Sequence, residues 1–242
     1  MDSQLGETSN EPSRVSRNYT LRFRSFGCIA SLLAVMIMQT GFSAAVFARD
    51  PETTLTVKVS GIDNNKPIPE KFASCITDGR GRTQESGNAS PAISWTSGPA
   101  ATQSYALIVV DKDVPAHLEL ANQPDQTIPS DSPRQDFYHW VLMDIPASVA
   151  RLPEGSDGGY GMVGQGGVIG ATNGQSGYHG PCPPWNDERL HHYHFQIYAL
   201  DIPTLHLPKG SSGKQVEDAM IGHILAKGEV IGTFTTNPKL SM

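Results

Sequence analysis

Cysteine, charge and aromatic side chains are all scarce in this chain. Of its 242 residues, three are cysteine, 7% are aromatic and 17% are charged. The net charge is −6, and no basic run follows the first few dozen residues, so the electrostatic footprint of a nucleic-acid-binding protein is absent. No two cysteines are separated by just two residues, which argues against a structural zinc site. Outside residues 25–48 no apolar run is long enough to cross a bilayer. What is plentiful is glycine, at 24, and proline, at 18. With so little charge and so few aromatics, that composition suits one turn-rich β or α+β domain with a real core.

The N-terminus carries an address. Arg14, Arg17, Arg22 and Arg24 precede "SFGCIASLLAVMIMQTGFSAAVFA", an uncharged run ending in small residues, as a secretory signal does. Cleavage is expected near Ala48, giving a periplasmic or secreted protein with residues 49–242 as its single domain. The competing reading is an uncleaved membrane anchor, since the run approaches the roughly 18 residues that span a bilayer. Cys28 leaves with the leader. Cys75 and Cys182 remain, and an oxidising compartment makes them a candidate disulfide, although spacing alone does not place them within reach.

Along the rest of the chain the period is mostly two. "LTVKVSGI" alternates as a half-buried strand stopped by Gly61. "SYALIVVDKDVP" is apolar without interruption, as a strand covered on both faces is. "DFYHWVLMDIP" and "HYHFQIYALDI" are two further strands, and "PAISW" is a short one. Residues 77–90 read as a polar connection, and the Gly-rich stretch 154–180 as a long surface segment. One helix is expected from Ser212, its cap, to Gly228, its stop, with Val216, Met220, Ile224 and Leu225 on one face. A short closing strand follows.

The residues with chemistry cluster at strand ends. Asp111 and Asp113, two apart, should share a face, where their repulsion favours a retained proton or a cationic partner. His139 should share its face with Phe137, Val141 and Met143, opposite Tyr138, Trp140 and Leu142. In "HHYHFQIYAL" the alternation sets His191 with Tyr193 and Phe195, and turns His192 and His194 away. The corner Gly180, Pro181, Cys182, Pro183 and Pro184 is stiff, because proline fixes φ, and Gly180 permits close approach to its backbone. Rigid amides beside imidazole and phenol donors suit a small anion. Two histidines and two aspartates also leave a metal site open as an alternative, though their spacing is not diagnostic.

Taken in order, "DKDVP", "YHWVLMDIP", "GYHGPCPP" and "HHYHFQIYALD" resemble the phosphatidylethanolamine-binding proteins, also called Raf kinase inhibitor-like proteins. "GNASPAISW" and "AMIGHILAKGEVIGTF" resemble the bacterial branch of that family. The resemblance spans about Leu55 to Phe234. It implies a mainly β fold, a sandwich of antiparallel sheets with a few peripheral helices. It further implies an anion pocket built from Asp111, Asp113, His139, the Gly180–Pro184 backbone, His191 and Tyr193, with no cofactor. Expected ligands are a small phosphate-like anion or a phospholipid head group, held without catalysis and more tightly at acidic pH as the imidazoles charge. Alternatives are a kinase- or protease-inhibiting interaction protein and, further off, a phosphoester hydrolase using Asp111 or His139 as base. Two positions depart from the family pattern. Lys112 replaces the usual proline, and His192 stands where relatives place an arginine.

Overall fold

The segment Tyr105 to Val110 is apolar at every position because it is covered on both sides. Tyr105, Leu107 and Val109 pack into one core with Leu55, Val57, Ile93 and Trp95. Ala106, Ile108 and Val110 pack into a second with Val216 and Met220. A strand between two layers has no solvent face, so the usual alternation of polar and apolar disappears.

The structure is a computed structural model that describes residues 53–80, 82–156, 162–163 and 177–240. These all lie within the compact unit Ala48–Met242. The leader, with its cleavage near Ala48, and most of the Gly-rich stretch lie outside the described residues. In chain order the first strands are β1 (Thr53–Thr54), β2 (Val57–Val59), β3 (Lys66–Pro67), β4 (Cys75–Thr77), β5 (Thr83–Glu85) and β6 (Ile93–Trp95). Then come β7 (Ser104–Pro115), β8 (Arg134–Pro146), β9 (Arg151–Leu152), β10 (Met162–Val163) and β11 (His191–Leu200). Helix α1 (Gly213–Met220) and strand β12 (Ile224–Phe234) close the fold.

A seven-stranded sheet has the order β1-β12-β11-β7-β8-β10, with β3 also paired to β12. Its long strands β12, β11, β7 and β8 are antiparallel, whereas the short β1 and β3 run parallel to β12. A second sheet, β2-β6-β9, covers the first core, and α1 covers the second. The fold is thus the expected sandwich.

Two local expectations are corrected. The helix is shorter than its pattern. Ser212 and Gln215 form a capping box at its start, but the chain turns at Gly222, whose φ of +89° is left-handed, and then joins β11 as β12. Gly228 is therefore no helix stop. It sits mid-strand, where a Cβ would come within 2.4 Å of the Leu55 carbonyl oxygen. The supposed connection 77–90 contains β5, paired to β4 through a turn in which Asp78 accepts from the amides of Arg80 and Arg82.

The Pro-rich corner is anchored from outside. Cys182 is bonded to Cys75, with Cα atoms 5.0 Å apart and 107 residues of separation. Ser74 donates its amide to Pro181 O at 3.0 Å and its hydroxyl to Gly180 O at 2.9 Å. Gly180 does leave room for a close neighbour, but that neighbour is the chain itself, since a Cβ there would lie 2.1 Å from Phe72 O. Closing so long a loop should stabilise the fold by about 4 kcal/mol through the unfolded chain. The paired substitution Cys75→Ala/Cys182→Ala should lower the urea midpoint accordingly, and an unchanged midpoint would contradict this account.

Candidate functional site

The site is built where β7, β8 and β11 run side by side. Tyr193 of β11 is the register partner of Asp111 of β7, so phenol and carboxylate are set next to each other by the ladder. His191, two residues earlier, is fully buried and donates Nδ1–H to Asp111 Oδ2 at 2.6 Å. Its Nε2 faces Asp187 Oδ2 at 3.1 Å. Ionised carboxylates only accept, so both ring nitrogens carry protons and the ring is an imidazolium. Burial opposes that charge, but two carboxylates overcome it, and the pKa of His191 is pushed up to about 9. Arg134 completes the line. It grips Asp187 through two nitrogens, at 2.5 and 3.0 Å, and spends its remaining donors on the carbonyls of Asp113, Pro129 and Ser132.

His139 is nearly as buried but reaches the opposite state. The β7–β8 register shifts between Val109 and Val110, which pair with Trp140 and Tyr138, leaving His139 as the extra residue of a bulge. The expected faces are accordingly rearranged. His139 joins Phe137, Trp140 and Leu142 on the side of Tyr193, while Tyr138, Val141 and Met143 lie toward α1. Its Nδ1 donates to His179 O at 2.6 Å; a carbonyl can only accept, which fixes the proton on Nδ1. Among the described residues no carboxylate binds the ring directly, so burial wins and lowers its pKa to about 4, against a weaker opposing pull from Asp111. The ring is neutral at pH 7, and its Nε2 is a buried lone pair without a hydrogen-bond partner among the described residues. The buried Tyr193 hydroxyl has no partner of normal geometry, but it lies against Asp111; burial above all, then the charge of Asp111 and a loose hydrogen-bonding contact with it, raise its pKa.

The His139 Nε2 and the Tyr193 hydroxyl belong to residues lining one cavity of about 220 Å³. Of the candidates, Asp111, His139, Gly180, Cys182, Pro183, Pro184, His191 and Tyr193 line it. Asp113 and Pro181 do not. Asp113 instead holds His192 through Nδ1 at 2.8 Å and its amide at 2.9 Å, and pairs with Arg189 at 2.9 Å. Two assigned roles therefore change. His191 cannot donate to a ligand, having spent both nitrogens, and His139 presents an acceptor at neutral pH. The amide of Gly180 is also engaged, donating to Asn88 Oδ1 at 2.7 Å. The guanidinium missing at position 192 has a substitute in Arg189. Among the described residues no cluster of His, Cys, Asp or Glu is arranged to hold a metal.

Sequence reasoning missed Asp187, Arg134 and His179. Asp187 stands four residues before His191 in a non-helical connector, so no periodicity marks it. His179 lines the cavity with a partly exposed ring stacked on His139, centroids 6.2 Å apart. Leu118, Ala121 and Phe137 add an apolar rim.

A sandwich of antiparallel sheets with a small cavity at neighbouring strands, its wall largely apolar with a few polar groups set into it, is the architecture of a binding protein. A family model for phosphatidylethanolamine-binding protein matches residues 58–235, so the chain belongs to that family. A UPF0098 protein of Pyrococcus horikoshii is 33% identical over 192 residues, covering 76% of this chain and 78% of the relative. The UPF0098 protein YbcL of Escherichia coli is 30% identical over 148 residues, covering 60% and 68%. Among solved structures, a phosphatidylethanolamine-binding protein homolog from Chlamydia trachomatis superposes with a TM-score of 0.56 at 27% identity, covering 76% of this chain and 98% of that one. Escherichia coli YbcL gives a TM-score of 0.58 at 24% identity over 76% and 99%, and supports the fold.

The two histidines impose opposite pH limits. His191 is raised, so its contribution is full below its unfolded pKa of 6.5 and is lost as pH rises through about 9. His139 is lowered, so its contribution is full above 6.5 and is lost as pH falls through about 4; the lowered carboxyls of Asp111 and Asp187 act in the same acid direction. Thermal stability should peak near pH 6.5. His191→Asn should flatten the alkaline limb and also weaken the acid limb, because the lowered carboxyls of Asp111 and Asp187 depend on His191; a wild-type melting temperature that does not fall between pH 6.5 and 9 would contradict the imidazolium assignment.

Proposed function

We propose that this chain is an exported, non-catalytic binding protein for small phosphate-like anions, including phospholipid head groups. The observation that carries the reading is the buried His139 Nε2, which has no hydrogen-bond partner among the described residues, beside the Tyr193 hydroxyl, whose contact with Asp111 is loose, on rings 5.0 Å apart in the same cavity. Burying a polar atom unpaired costs about 1–3 kcal/mol, which a ligand that bonds to both recovers. A volume of about 220 Å³ suits a head group, not a whole lipid, and the rim of Leu118, Ala121 and Phe137 suits the apolar part that follows it. The His179 ring adds a partly exposed imidazole beside the anion. Export rests on the leader read from the sequence.

Hydrolysis has less support. Asp111, its first candidate base, uses one oxygen on His191 and the other on the Asp113 amide. Among the described residues no serine lines the cavity, and Cys182 is tied up in the disulfide.

Titration calorimetry with phosphoethanolamine and with inorganic phosphate tests the proposal. Heat of binding is expected between pH 5 and 8, and Tyr193→Phe should weaken affinity about tenfold, the worth of one hydrogen bond to a charged group. No heat from either ligand at any pH in that range would overturn it.

A further inference from the structure

The Nε2 lone pair of His139 puts a condition on the anion. A bare anionic oxygen placed against a lone pair is repelled, so one proton must stand between them. We infer that the cavity takes its anion together with one proton, shared between His139 Nε2 and a ligand oxygen, and thereby selects phosphate monoesters over diesters and sulfate esters. This inference rests on the proposed function and narrows its ligand class to monoesters, so that a free phosphorylated head group is favoured over the same head group in an intact phospholipid, which is a diester.

The geometry leaves little freedom. The ring cannot move its proton to Nε2 without facing a second lone pair, the carbonyl of His179, at 2.6 Å. The groups around it are Asp111 of β7, His191 and Tyr193 of β11, Phe137 of its own strand, and His179 of the corner. Asp111 favours a second proton on the ring; the His191 cation and the His179 ring oppose it, and burial opposes it most. Tyr193 supplies a hydroxyl donor beside the acceptor, so the pair matches an oxyanion that has one P–O⁻ and one P–OH.

Magnitude decides where the proton originates. Charging a ring whose pKa is about 4 carries roughly a thousandfold penalty at pH 7. A phosphate monoester, with a second pKa of about 6, brings the proton itself at roughly a tenfold penalty. Sulfate esters and phosphodiesters stay fully ionised and must use the costlier route.

Calorimetry in buffers of different ionisation enthalpy reads this directly, with phosphoethanolamine, its isosteric sulfate ester 2-aminoethyl hydrogen sulfate, glycerophosphoethanolamine as a diester, and ethanolamine alone. Phosphoethanolamine should take up close to one proton per molecule bound at pH 7.5 and almost none at pH 5, with affinity falling about tenfold from pH 7 to 8. The sulfate ester and the diester should bind at least about tenfold more weakly at pH 7. His139→Gln, whose amide can turn a donor to the ligand, should abolish proton uptake and the preference. Tyr193→Phe, checked separately for folding, should weaken every ester and keep the preference. Equal affinity for phosphate and sulfate esters, proton uptake near zero at pH 7.5, or binding of ethanolamine alone as tight as that of its phosphate would overturn the inference while leaving the cavity a binding site. No heat from any ligand would overturn the proposed function, and this inference with it.

Discussion

An alternating line of buried charge, Arg134 to Asp187 to His191 to Asp111, ends at the cavity wall and holds it in shape. Each member is compensated. The guanidinium makes five hydrogen bonds, both Asp187 oxygens are shared, and His191 has a carboxylate on each nitrogen. Removing one member of such a line leaves its neighbour charged and dry, at about 3–5 kcal/mol. The line therefore fixes the rotamer of Asp111, and through the β7–β11 ladder the place of Tyr193 beside it. It also reaches outward, because Arg134 holds the carbonyl of Asp113, whose carboxylate gathers His192 and Arg189.

Against that frame the two buried histidines divide the work. His191 and His139 differ little in exposure, at 0% and 5%, yet one is a cation and the other neutral. The difference is the count of direct carboxylate bonds, two against none. The cation is structural, because nothing of it remains to offer a ligand. The neutral ring is the one with an atom to spare, and its carbonyl clamp decides that this atom accepts. In the proposed anion site, an acceptor at the centre calls for a protonated anion.

Much of the fold was legible in the sequence because strand burial writes itself into periodicity. The uninterrupted apolar run of β7 and the alternation that paired His191 with Tyr193 both follow from which layer each face meets. Features that depend on chain partners were not legible. The bulge at His139 exists only in the register with β7, so a period of two assigned Trp140, Val141 and their neighbours to the wrong faces. The helical pattern ran on past Met220 because Ile224 and Leu225 fit a helix face as well as a strand. The left-handed Gly222 and the pairing with β11 decide the matter. Asp187 and Arg134 are 53 residues apart and meet only when the connector before β11 folds back. Membership of the phosphatidylethanolamine-binding protein family was visible in motif order, but the division of labour between its two histidines was not.

The central claim is that division, and histidine protonation can be observed directly. Long-range proton–nitrogen NMR of the ring nitrogens at pH 7.5, with His191 and His139 assigned by substitution, separates imidazolium from each neutral tautomer. The account predicts protons on both nitrogens of His191 and on Nδ1 alone of His139. A neutral His191, or a proton on Nε2 of His139 in the unliganded protein, would contradict it.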